Sequence, residues 1–255
     1  MKLPLLLALC LSMFRIASGV ESAVPANSAP VSVQTLSVTP KASGKKGAFT
    51  YRLENRSKKP IAQIVMDMGF RDADGVLEKT VPFTRAQKLA AGAKDEEKSD
   101  DFFMNETTRK VTITVTAVTF ADGTKWSARE AAIAAAAPGA LTFSGHDAPA
   151  SAEVIRFRPK TADRKGGIAW RVTNHSNKAI ESFVLEITFF DAAGKTESKV
   201  PHSGTLGGDS VIAPGGTYEG LMDQFFMGDN TRSAKIGVKS LTFVSGEKWA
   251  APKSE

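Results

Sequence analysis

Sulfur and imidazole are scarce in this chain. Its 255 residues contain one cysteine, Cys10, and three histidines, His146, His175 and His202. A single thiol cannot close an internal disulfide, and clustered thiolate metal sites are excluded with it. No histidine has a His or Cys partner at ligand spacing, so each reads as a satisfied surface residue and no metal or other cofactor is expected. Nothing after the first 16 residues is apolar for the roughly 20 residues that a membrane-crossing helix needs. A transporter or channel built on such helices is therefore excluded. What remains is ordinary: 42% hydrophobic, 24% charged and 8% aromatic residues, the balance of a folded domain rather than a disordered chain.

The chain opens MKLPLLLALCLSMFRIASG, with Lys2 as a positive start, an apolar run from Leu3 to Phe14, and the small residues Ala17 and Gly19 before Val20. This is the pattern of a secretory signal over residues 1–19. The alternative, a buried N-terminal helix, fits the small residues after the run less well. A lipoprotein signal centred on Cys10 would place bulky Leu9 where a small side chain is needed. Cleavage after Gly19 would remove Lys2, Arg15 and the only cysteine, leaving 31 basic and 27 acidic residues, a charge of +4. That excess favours anionic surfaces weakly and selects none of them. The expected location is exported, periplasmic or secreted. An exported chain without thiols takes its stability from packing alone.

An internal duplication organises the rest. Residues 36–82 match 155–201 at a constant offset of 119 with 17 identities, and residues 89–126 match 212–249 at an offset of 123 with 16. YRLENRSKKPI, from Tyr51, answers WRVTNHSNKAI, from Trp170, and both copies close on Lys-Trp, at Trp126 and Trp249. Agreement inside one chain reports constraints that both copies share, and a shared fold is the simplest such constraint. The expected organisation is a signal peptide at 1–19, a loose leader at 20–30, one repeat at 31–127, a linker at 128–149 and a second repeat at 150–251. Within the linker, Ser127 and Glu130 have capping-box spacing before an alanine-rich stretch that Pro138 and Gly139 end. A short helix is predicted there.

Within each repeat the period is two. Ile64, Met66, Met68 and Phe70 share one face of a strand, as Phe183, Leu185, Ile187 and Phe189 do in the second copy. In VTITVTAVTF the apolar phase shifts between Val115 and Val118, and likewise between Val238 and Leu241, which predicts a bulge near Thr116 and Lys239. Turn signals at Asp72–Gly75 and Asp191–Gly194 punctuate both copies. About seven strands per copy without a long helical pattern predict an all-β fold, two tandem immunoglobulin-like antiparallel β-sandwiches joined by a linker with a short helix. The segment from Phe183 to Gly194, with the APGG turn at Ala213–Gly216 and Tyr218, resembles the FxLYD type of small secreted β-sandwich domain. It departs from that pattern at Phe190 and Arg71, which stand where Tyr is usual. The resemblance implies an extracytoplasmic sandwich and no particular activity.

Candidate chemistry is sparse. Asp72 and Asp74 before Gly75 look like the start of a calcium loop, but the second copy has Ala193 and no Glu follows at the required distance, so a hairpin turn is the better reading. The acidic run of Asp95, Glu96, Glu97, Asp100 and Asp101 is expected to be a solvated edge, with only Glu219 and Asp223 retained in the second copy. Asn55, Asn105 and Asn174 lie in glycosylation sequons, or are plain turn asparagines. The paired aromatics Phe102–Phe103 and Phe225–Phe226 are expected in the core. Arg156, Arg158, Lys160, Arg164 and Lys165 form the densest basic group and are the candidate site for an anionic partner. The alternative for that strand is a charged edge that resists aggregation.

The expected function is a non-enzymatic exported binding or structural protein, with a protein or an anionic polysaccharide of the envelope as partner and nucleic acid not expected. The alternative is a periplasmic chaperone-like factor with a basic interdomain cleft, which requires a fixed bent arrangement and an exposed edge strand. Binding is expected at positions that differ between copies, above all the loop from His202 to Val211 and the Arg156 strand.

Overall fold

The computed structural model describes residues 18–21, 29–43, 45–100, 103–136, 139–143, 146–162, 165–206, 210–223 and 227–252. The expected signal segment lies outside these residues but for Ser18 and Gly19. Among the described residues the chain is all-β, with one short helix. In the first repeat the strands are β2 (Val31–Thr39), β3 (Ala48–Asn55), β4 (Ile61–Arg71), β5 (Leu77–Leu89), β6 (Lys94–Asp100), β7 (Lys110–Phe120) and β8 (Lys125–Ser127). In the second they are β9 (Ala150–Arg158), β10 (Gly167–Asn174), β11 (Ile180–Phe190), β12 (Thr196–Thr205), β13 (Thr217–Asp223), β14 (Ser233–Phe243) and β15 (Lys248–Ala250). A short strand, β1 (Ser18–Glu21), precedes both.

Each repeat stacks two antiparallel sheets, ordered β2-β3-β6 and β5-β4-β7-β8 in the first, β1-β13-β10-β9 and β12-β11-β14-β15 in the second. The stripe predicted from alternation lines each interior: Ile64, Met66, Met68 and Phe70 are buried in one, Phe183, Leu185, Ile187 and Phe189 in the other. The strand register skips one residue at Thr116 and one at Lys239, the two places where the apolar phase shifts. Ile113 and Ile236, expected inside the core, are only half-buried. Beside Ile113 a groove of about 290 Å³ between β2 and β7–β8 stays open, because β8 is only three residues long.

The copies fill the same central place differently. Trp170 is fully buried, with its ring centroid 5.7 Å from Phe183 and 5.7 Å from Tyr218. A Cβ on Gly220 would stand 2.2 Å from the Trp170 ring, so the indole requires glycine across the strand pair. In the first repeat Tyr51 and Glu97 replace Trp170 and Gly220. The Tyr51 hydroxyl donates to Glu97 at 3.0 Å, and Arg85 of β5 pairs with both Asp95 and Glu97 of β6. Burial, then the Glu97 carboxylate, pushes the Tyr51 phenol up to about 12.

Both turns that precede the second long strand hang on one asparagine. Asn174 is fully buried; its Nδ2 donates to the carbonyls of Lys178, Ile212 and Ala213 at 2.8, 2.9 and 3.1 Å, and its Oδ1 accepts from the Ser176 amide and hydroxyl. Asn55 repeats the arrangement with Lys59, Leu89, Ala90 and Ser57.

The predicted helix, α1 (Ala128–Ala135), begins at Ser127, whose hydroxyl accepts from the Glu130 amide. Ala132 packs on Ala179, Val211 and Ala213, and Arg129 reaches Glu181 at 2.5 Å, so the helix docks on the second repeat. Residues 18–21, at the expected junction of signal and leader, are in a strand. Their backbone pairs with β13, whose outer edge otherwise offers unpaired amides and carbonyls.

Candidate functional site

The polar chemistry concentrates where the repeats meet. Strand β4 ends at Arg71 and turns at Asp72–Gly75, where the Asp72 carboxylate accepts from the amides of Asp74 and Val76, and Gly75 takes φ 78°. This tip abuts the outer face of the β13-β10-β9 sheet. On that face, opposite the buried Trp170 and Val172, Arg171 donates to Glu219 at 2.6 Å and to Glu153 at 3.1 Å. Arg71 enters from the other repeat and donates to the second oxygen of Glu219 at 2.6 Å and to the Gly75 carbonyl at 2.9 Å. The Glu219 side chain is left 1% exposed and Arg71 8%.

The same pair exists in the first repeat as Arg52 and Glu96, with side chains 37% and 52% exposed. Repetition of the fold therefore supplies the Arg–Glu pair, and docking of the Arg71 tip buries one copy of it. Arg71 stands at the end of β4, where it faces a carboxylate across the joint. Its counterpart Phe190 instead lies beneath the Lys235 ammonium, 5.8 Å from the ring centroid.

A second ion pair flanks the first. Arg156 on β9 donates to Asp72 and, at 2.8 Å, to Asp74. Burial alone would raise the Asp72 carboxyl, but the Arg156 hydrogen bond and charge and the backbone amide of Val76 outweigh it and hold it below the usual value. Beside these groups lies a cleft of about 220 Å³, walled by Val76, Leu77, Glu78 and Asn105 of the first repeat and Arg158, Ala169 and Leu221 of the second. Its charges balance, with Asp72 and Glu78 against Arg156 and Arg158.

The five basic candidates thus divide. Arg156 is engaged in the joint, and Lys160 pairs with Asp229 at 2.7 Å. Arg158 and Lys165 are exposed, and neither forms an ion pair among the described residues. Arg164 lies outside the described residues. The carboxylates Asp72 and Asp74, read from sequence as a turn alone, make that turn and also bind Arg156. Glu219, a remnant of an acidic edge in the sequence, is the centre of the joint. The two differences between copies that mark this, Arg71 against Phe190 and Asp74 against Ala193, were visible as broken symmetry.

The three histidines, read from the sequence as satisfied surface residues, have specific partners. His146 of the linker stacks on His175 of the β10–β11 turn, with ring centroids 3.5 Å apart and 12° between planes. The Ser151 hydroxyl lies 2.8 Å from His175 Nε2. His202, expected in a loop, is on β12 and sits edge-on to Trp170 at 5.3 Å. Burial holds its imidazole below the ordinary value. Part of the loop that follows, residues 207–209, lies outside the described residues, as do Phe102, Phe225 and Phe226; Phe103 packs at 6.3 Å from Phe70.

No family model matches the chain. No curated protein matches it either. Among solved structures, a hypothetical protein from Peptoclostridium difficile 630 is similar over 39% of this chain and 86% of its own, at 11% identity and a TM-score of 0.32. Red sea bream transglutaminase is similar over 84% of this chain and 29% of its own, at 10% identity and a TM-score of 0.26.

Proposed function

We propose that the chain is an exported, non-enzymatic binding or structural protein of the cell envelope or extracellular space, made of two β-sandwich modules of the FxLYD type. The observation that carries this reading is the joint: the buried Arg71–Glu219 pair and the flanking Arg156–Asp72 pair hold the modules as one surface rather than two beads on a string. The signal-like N-terminus and a mature sequence without cysteine support export. The partner is a protein or an anionic polysaccharide, met by the basic residues that the joint leaves exposed, Arg158 and Lys165.

The test is retention of envelope proteins and of an acidic glycan array by the mature protein, compared with an Arg158→Ala/Lys165→Ala double variant. Loss of retention in the variant supports the reading; equal retention removes these residues from it, and turnover of any arrayed glycan refutes a non-enzymatic role. Arg156 is left untouched, since its replacement would disturb the joint.

A second reading, a chaperone-like factor that holds client strands, is favoured by the pairing of Ser18–Glu21 along β13, a strand added at the rim of the joint. On this reading an extended peptide of unrelated sequence protects the β13 amides from exchange in the mature protein.

A further inference from the structure

The end of the second repeat that carries the β10–β11 turn is also where the linker is fastened. The His175 amide donates to the Pro149 carbonyl at 2.8 Å and the Asn177 amide to the Thr142 carbonyl at 3.1 Å. The Asn177 side chain returns the contact, accepting from the Thr142 amide at 2.9 Å and donating to the Ala140 carbonyl at 3.1 Å. Phe143 and Ser176 form an isolated bridge between the same two segments. The first repeat has the bond equivalent to the first of these, from the Arg56 amide to the Pro30 carbonyl at 2.8 Å. It has no ring pair there, because arginine replaces His175.

The ring stack of His146 on His175 is thus specific to the linker side of the second repeat. Two neutral imidazoles, or one neutral and one charged, stack without penalty. Two imidazolium rings at this separation repel, and His175 would also have to keep its Ser151 contact through a nitrogen that is now a donor. The surrounding groups do little to offset a double charge. From β9 the pair meets the Ser151 hydroxyl. From the linker the nearest carboxylate in sequence is Asp147, and the turn's own cation, Lys178, is held by Glu247. Among the described residues no carboxylate is within ion-pair distance of either ring.

We propose that His146 and His175 form an acid-sensitive clasp, which keeps linker residues 140–143 and 146–149 on the β10–β11 turn when at most one ring is charged and releases them when both are. Burial, then the His146 charge, holds His175 below the ordinary histidine value, the direction the clasp requires. The residues that form the joint, Arg71, Asp72, Arg156, Arg171 and Glu219, make none of the contacts that hold the linker, so release loosens the linker and leaves Arg71–Glu219 in place. The inference does not depend on the identity of any partner.

The test uses the full mature chain. Histidine ring protons are followed by NMR from pH 8 to 4.5 in the wild type, His146→Ala and His175→Gln, with amide exchange at His175 and Asn177 measured over the same range and corrected for intrinsic rates. The expected result is a coupled titration in which the second proton binds at least about tenfold more weakly than the first. Exchange protection at both amides should fall at least about tenfold across that second step, and His146→Ala should abolish the pH dependence. Independent titration of the two rings at ordinary values overturns the proposal. So does protection that stays constant through both steps, or an identical loss of protection in His146→Ala.

Discussion

Replacing Asn174 by alanine isolates the most connected side chain in the second repeat. Its amide has two N–H groups shared among three carbonyls, those of Ile212 and Ala213 buried, and its oxygen accepts twice, from the Ser176 amide and hydroxyl. Counting two donors and two acceptors at about 1 kcal/mol each gives ~4 kcal/mol, and carbonyls left dry without partners add to the loss. Some of those groups will recruit water, which sets the expected range at about 3–5 kcal/mol. Domains of this size have stabilities of about 5–15 kcal/mol, so the variant should keep only a marginal fold in its second repeat. Urea unfolding followed by fluorescence reads this directly, because Trp170 lies in that repeat's core and reports its packing. A midpoint shift worth less than about 1 kcal/mol, with an unchanged slope, would refute the argument that this asparagine ties the turn to the sheet.

Four further outcomes follow from the same reasoning. Arg71→Ala should leave Glu219 buried with Arg171 alone, cost up to about 3 kcal/mol, and widen the distribution of distances between spin labels placed one on each repeat; an unchanged distribution would show that the pair does not hold the joint. Ile187→Ala, at a fully buried site, should cost about 2–5 kcal/mol in urea unfolding, and Ile113→Ala clearly less because Ile113 is half-buried. The unfolded chain ionises Tyr51 near pH 10 and the folded chain only near 12, so the stabilisation present below pH 10 is lost as pH rises through that window. Ultraviolet titration of a Tyr218→Phe variant checks it. His202 has the opposite sense: the unfolded chain takes up a proton near the ordinary histidine value while the folded chain resists it, so stability is lost as pH falls below about 6.5. His202→Phe, the residue of the first repeat, should reduce that loss in melting curves taken at pH 7.5 and 5.5.

The strands, their bulges and the capped helix were legible because each rests on neighbours in sequence: alternation at Ile64–Phe70, a phase slip around Thr116, a serine three residues before a glutamate. The duplication made the reading firmer, since Asn55 and Asn174 or Arg52 and Arg171 could be compared within one chain. What alternation cannot carry is which module touches which. Arg71 and Glu219 are 148 residues apart, Arg156 and Asp72 are 84 apart, and no local pattern links them. Their trace was asymmetry, positions where one copy abandons what the other keeps. The His146–His175 stack left only half of such a trace, Arg56 against His175, because the other partner lies in a linker that has no counterpart. Ile113 misled for a related reason: its alternation is right, but the shortness of β8 beside it opens one side of the interior.

The three side chains that key one repeat onto the next occur once each. At the positions matching Arg71, Asp74 and Arg156 the other copy has Phe190, Ala193 and Ser37. The far end of the second module therefore lacks the plug, and the open sheet of the first lacks the flanking socket. The contacts that join the two modules are therefore not ones that these residues could repeat at the outer face of either module.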